Sequence, residues 1–75
     1  MSPPRKRSLT LRGHRTSVSL EDPFWEGLRE IARREGRSLD GLAAEIDAAR
    51  PPGTGLASAI RVFVLERRAP ADGAP

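Results

Sequence analysis

The sequence predicts a mainly α-helical fold in which one short strand is followed by three helices. Three observations predict it: a period-2 alternation over one short stretch, two helical apolar stripes separated by a glycine, and a third amphipathic segment beyond a Pro-Pro-Gly break. At 75 residues the chain is one small domain, and a domain of that size buries only about 60% of the surface its unfolded form exposes. Disulfides cannot supplement the core because there is no cysteine, and the single histidine, His14, cannot assemble a tetrahedral zinc site. A second copy of the chain is the remaining source of buried area.

Residues 1–13 read as a basic, largely flexible arm, since Ser2-Pro3-Pro4 and Arg5-Lys6-Arg7 offer nothing to pack. A strand is expected over residues 14–20, where Thr16, Val18 and Leu20 fall on one side of the pleat and Arg15, Ser17 and Ser19 on the other. Leu9 and Leu11 alternate too, but with the opposite parity, and Gly13 intervenes; one register cannot bury both pairs. A lone strand leaves its N–H and C=O groups unpaired. The nearest solution is the same strand of a second copy, giving an intermolecular antiparallel two-stranded ribbon in an intertwined homodimer.

The first helix is expected over residues 22–35, opened by Asp22 as cap and Pro23, and ended by Gly36 in the left-handed conformation. Phe24, Leu28, Ile31 and Ala32 form its inward stripe, with Trp25 beside them. The second spans residues 38–50, capped by Ser38, with Leu39, Leu42, Ala43, Ile46 and Ala49 inward, and Pro51-Pro52-Gly53 stops it. A third covers residues 55–67. Its Val62-Phe63-Val64-Leu65 run would also suit a strand, but Leu56 to Arg61 leads into it with good helix formers and no break. Residues 68–75 are expected to be a disordered tail.

The net charge of +3 is unevenly spread: residues 1–15 contain five cations and no acid, whereas the remainder holds eight arginines against ten acids. Such a basic segment suits a polyanion. Nucleic acid fits better than a membrane, because only Leu9 and Leu11 accompany the cations; no signal peptide or membrane span is apparent, and a cytoplasmic protein is expected. Catalysis is disfavoured by a composition without Cys or Tyr, with one His and no Gly-x-Ser-x-Gly or phosphate-binding loop. No cofactor is expected.

The run Arg12-Gly13-His14-Arg15-Thr16-Ser17-Val18-Ser19-Leu20-Glu21, then Phe24-Trp25 and Gly36-Arg37-Ser38-Leu39, resembles a subfamily of small bacterial ribbon-helix-helix domain proteins. Those proteins also carry a C-terminal segment like Leu56 to Glu66, so the resemblance covers residues 8–66. It implies a DNA-binding homodimer, a transcriptional regulator or repressor, whose ribbon enters the major groove with Arg15, Ser17 and Ser19 reading base edges. Arginine can bond guanine bidentately and serine can donate or accept, which agrees with that assignment. Arg5, Lys6, Arg7 and Arg12 would contact phosphates, as would the amides of Ser38 and Leu39 at a helix start; Ser38 alone reads as an ordinary N-cap. Val18, Leu20, Phe24, Trp25, Leu28, Ile31, Leu42 and Ile46 would form the dimer core, and two dimers could sit side by side on DNA. Phe24 and Trp25 could also be taken for a base-stacking platform, but the first turn of an amphipathic helix favours core. His14 reads as an ordinary surface residue.

Two departures from the general family stand out: the Pro51-Pro52-Gly53 break with its added third segment, and serine at two of the three reading positions. The competing function is a protein-interaction module, an antitoxin-like or scaffolding dimer whose C-terminal segment binds a partner protein. A third is a basic dimer that binds RNA or membrane without sequence preference.

Overall fold

Arg12 and Gly13 both adopt positive φ, 52° and 84°, the geometry of a tight two-residue turn in which glycine removes the steric cost at the second position. The turn joins strands β1 (Arg5–Leu11) and β2 (His14–Leu20) into an antiparallel hairpin, in a computed structural model that describes residues 2–73. Three helices follow: α1 (Asp22–Arg34), α2 (Leu39–Ala49) and α3 (Leu56–Gly73).

The ribbon is therefore closed within one chain. Residues 5–11, expected in a flexible arm, supply the partner that was expected from a second copy of residues 14–20. The register explains why. Leu11 faces His14, Leu9 faces Thr16, Arg7 faces Val18 and Arg5 faces Leu20, so odd positions of β1 share a face with even positions of β2. The opposite parity of Leu9 and Leu11, a conflict within one strand, is what a hairpin with a two-residue turn requires.

That shared face covers the helices. Leu9, Val18 and Leu20 from the hairpin meet Leu28, Ile31 and Ala32 of α1, Leu42, Ala43 and Ile46 of α2, and Ile60 and Val64 of α3 in one buried cluster. Phe24, Trp25, Leu39, Leu56 and Phe63 pack half-buried around it. All eight residues expected in a dimer core thus lie in or against the core of a single chain. Leu20, Leu28 and Leu42 are fully buried there without a second copy.

Helix ends follow local chemistry. Gly36, at φ 66°, lets its own amide bond Arg33 C=O and the Arg37 amide bond Ala32 C=O, which closes α1 and turns the chain tightly into α2. Ser38 Oγ accepts the Gly41 amide at 3.0 Å and caps α2. At the start of α1 the N-cap is Glu21, not Asp22, and its C=O accepts from the Phe24 and Trp25 amides. Neither acidic side chain is free to cap, because each is held by an arginine described below. The third helix continues beyond Arg67 to Gly73 rather than giving way to a tail at residue 68. Ala69 and Ala71, strong helix formers, flank Pro70 in this last stretch. Residues 74 and 75 of the expected tail lie outside the described residues.

Ser8 and Ser17 are direct cross-strand partners. Counting from the turn, they form a non-hydrogen-bonded pair, with Cα atoms expected about 4.5 Å apart, and a disulfide can span that separation. The Ser8→Cys/Ser17→Cys variant is expected to oxidise to a monomeric species on a non-reducing gel, with Ser17→Cys alone staying uncross-linked. Covalent dimers from Ser17→Cys alone would instead indicate that the strand pairs between chains.

Candidate nucleic-acid interface

The hairpin has one face against the helices and one face bare. Alternation places Arg15, Ser17 and Ser19 of β2 on the bare face, all exposed. The same alternation brings Lys6, Ser8 and Thr10 of β1 beside them, also exposed, opposite Ser19, Ser17 and Arg15 respectively. The outward surface is thus two cations and four hydroxyls, with no acid among them. Sequence reasoning names only the β2 half. The signal that could have identified the other half is the likeness of Lys6-Arg7-Ser8-Leu9-Thr10-Leu11 to Arg15-Thr16-Ser17-Val18-Ser19-Leu20.

Behind the ribbon the charges are paired. Arg7, on the inner face, donates through Nη2 to Leu20 C=O at 3.1 Å and to the Asp22 carboxylate, and its guanidinium lies 5.3 Å from the Trp25 ring centre. Its side chain is only 14% exposed, so Arg7 fastens the hairpin to α1 instead of facing outward with Lys6. Arg5 stands at the same end, 3.8 Å from Asp22. At the β2 edge, Arg61 of α3 donates to Glu21 Oε1 at 2.9 Å and to Ser19 C=O at 3.3 Å, with its guanidinium 5.9 Å from the Phe24 ring centre. Phe24 and Trp25 therefore support arginines from half-buried positions, an arrangement unlike an open stacking platform. At the β1 edge, the Thr10 amide donates to Asp40 Oδ1 at 3.1 Å.

The guanidinium of Arg7 holds the Asp22 carboxyl below its ordinary range, and Arg61 does the same for Glu21. Arg37, Arg50 and Arg67 are also engaged, with Glu45, Asp47 and Glu35. By contrast, Lys6, Arg12 and Arg15 take part in no ion pair among the described residues. Glu21 and Asp22, next to the ribbon, are thus paired, while Arg12 at the turn and Lys6 and Arg15 on the outer face have no carboxylate partner among the described residues.

The start of α2 is the other expected phosphate contact. Ser38 is exposed and Leu39 half-buried there, with the positive end of the helix behind them. Asp40 occupies the same first turn, so an incoming phosphate would also meet a carboxylate. His14 is exposed beside the turn. No group of three or more His, Cys, Asp or Glu among the described residues is placed to hold a metal ion, and no helix among them is long and apolar enough to cross a membrane.

A family model described as a ribbon-helix-helix domain matches residues 4–67. The chain therefore belongs to the ribbon-helix-helix family, whose members are generally DNA-binding transcription regulators with a non-enzymatic fold and typically bind DNA as dimers. No curated protein and no solved structure matches the chain.

The ion pairs behind the ribbon generate a pH dependence with a definite sign. A carboxylate whose folded pKa is depressed stabilises the fold above its unfolded value, and that contribution disappears as pH falls through the folded value. The melting temperature is expected to decline below about pH 4, the ordinary carboxylate range. A Glu21→Gln/Asp22→Asn variant should melt lower at neutral pH and decline less steeply in acid. Parallel curves for the two proteins would show that these pairs do not fasten the ribbon.

Proposed function

We propose that this chain is a sequence-specific transcriptional regulator that lays its β-ribbon in the DNA major groove and represses by occupying an operator. The observation that carries this reading is the bare outer face, with Arg15, Ser17 and Ser19 exposed in alternation and the free cations Lys6 and Arg12 alongside. A two-stranded ribbon has the width the major groove admits, and its outward side chains reach base edges directly. Arg15 suits the O6 and N7 of guanine, and the serine hydroxyls can serve either donors or acceptors.

Phosphate contacts supply affinity without sequence choice. Arg12 at the turn and Arg5 at the opposite end of the ribbon would make them. The Ser38 and Leu39 amides can add one where α2 begins, weakened by Asp40. Arg7 contributes indirectly, by fixing the ribbon on α1. A homodimer, the habit of the family, would here combine two finished ribbons instead of building one between chains. No step of this mechanism calls for a cofactor.

One observation favours the protein-interaction reading. Val62 and Leu65 of α3 are 54% and 58% exposed, and Val62 borders a groove between α2 and α3 lined by Ile46, Ala49, Pro51 and Phe63. An apolar partner segment could lie there while the ribbon faces DNA.

Binding to duplex DNA should fall steeply between low and high salt, as phosphate contacts release counterions. Arg15→Ala should leave the fold intact, since its side chain is exposed, and should relax base preference by about 1–3 kcal/mol at one position. Titrations of matched and mismatched duplexes measure both effects. Unchanged discrimination in the variant would remove Arg15 from the reading set, and salt-insensitive or absent binding at low salt would move the function to the α2–α3 groove.

A further inference from the structure

The two strands of the ribbon are copies of one pattern. Arg5-Lys6-Arg7-Ser8-Leu9-Thr10-Leu11 returns as His14-Arg15-Thr16-Ser17-Val18-Ser19-Leu20, position by position. Lys6 corresponds to Arg15, Ser8 to Ser17, Thr10 to Ser19 and Leu11 to Leu20. The antiparallel register sets Ser8 directly across from Ser17, Lys6 across from Ser19 and Thr10 across from Arg15. A two-fold axis normal to the sheet between Ser8 and Ser17 then exchanges Lys6 with Arg15, and Thr10 with Ser19. One chain alone therefore displays a quasi-symmetric outer face, with a cation at each diagonal corner and hydroxyls between.

Duplex DNA is related to itself by two-fold axes across the groove, and a two-fold protein surface is matched by an inverted repeat. At about 3.4 Å per residue, Lys6 and Arg15 stand roughly 14 Å apart along the ribbon, about four base-pair steps. The geometry points to a complete reading unit within a single chain: Lys6, Ser8 and Thr10 read bases as the counterparts of Arg15, Ser17 and Ser19. The site of one protomer is itself a short quasi-inverted repeat, with a guanine on each DNA strand toward either end. This rests on the DNA-binding reading above and moves Lys6 from phosphate contact to base contact. Lys6 has the chemistry for the change, since an ammonium can donate to both guanine O6 and N7.

The test selects preferred duplexes from a randomised pool with the full chain. It then measures affinity for every single base-pair change in the chosen site for wild type, Lys6→Ala and Arg15→Ala. Both side chains are exposed, and circular dichroism verifies that the variants remain folded. Each variant is expected to lose discrimination at one position, by about 5- to 150-fold. The two affected positions should be related by the local two-fold axis and lie about four steps apart. The double exchange Lys6→Arg/Arg15→Lys is expected to favour the site in the reverse orientation. If Lys6→Ala weakens all duplexes equally, or none, while Arg15→Ala alters a base preference, the one-chain reading unit is overturned and DNA reading by β2 stands. If neither variant changes binding to any duplex, the DNA reading itself fails.

Discussion

Because only two residues connect the strands, Leu11 must face His14, and the pairs that follow alternate: odd positions of β1 meet even positions of β2 on the inner face, and even positions meet odd ones on the outer face. This constraint decides which side chains enter the core and which stay outside. It turns Leu9 inward beside Val18 and Leu20, and it brings Arg7 to the end of β2, within reach of Leu20 C=O and the Asp22 carboxylate. The same register leaves Lys6, Ser8 and Thr10 outside with Arg15, Ser17 and Ser19. Core and interface are two consequences of one turn, and that turn depends on backbone conformations that Gly13 adopts without penalty.

Charge is sorted across the ribbon as strictly as hydrophobicity. Arg7 and Arg61 lie behind or beside it, each shared between a carboxylate, a strand carbonyl and an aromatic ring. They hold the hairpin to α1 and α3, and they pair with Glu21 and Asp22, the two acids that follow β2 directly. The outer face itself carries two cations and no acid, although the chain as a whole is only weakly cationic. An exposed ion pair contributes little on its own. Here its importance is positional, because it neutralises the carboxylates that lie beside the ribbon.

The helices were legible because each has a local cause: the apolar stripes of α1 and α2, Gly36 as a left-handed stop, Ser38 as a cap, and Pro51-Pro52-Gly53 as a break. β2 and its outward residues were legible from alternation. β1 was not, because parity compared along a single chain direction makes Leu9 and Leu11 look misplaced, and Arg-Gly lacks the usual Asn-Gly or Asp-Gly signature of a hairpin turn. Without β1 the ribbon needs another chain, and residues such as Leu20 and Leu28 need a second copy to cover them. The cap of α1 is hidden for a related reason: Asp22 is an excellent capping residue locally, but a long-range arginine claims its side chain, and Glu21 is the N-cap. Half of the outer face was invisible in the same way, since Lys6, Ser8 and Thr10 acquire meaning only once their strand has a partner.

Hairpins expose rows of peptide groups along both margins, and such rows invite another strand to add on. In this chain the Asp40 carboxylate occupies the Thr10 amide on one margin, and the Arg61 guanidinium occupies the Ser19 carbonyl on the other. A newcomer would have to displace a charged side chain on either side before zipping on. Where copies of the chain crowd together, the sheet of one is thus discouraged from extending into the sheet of the next.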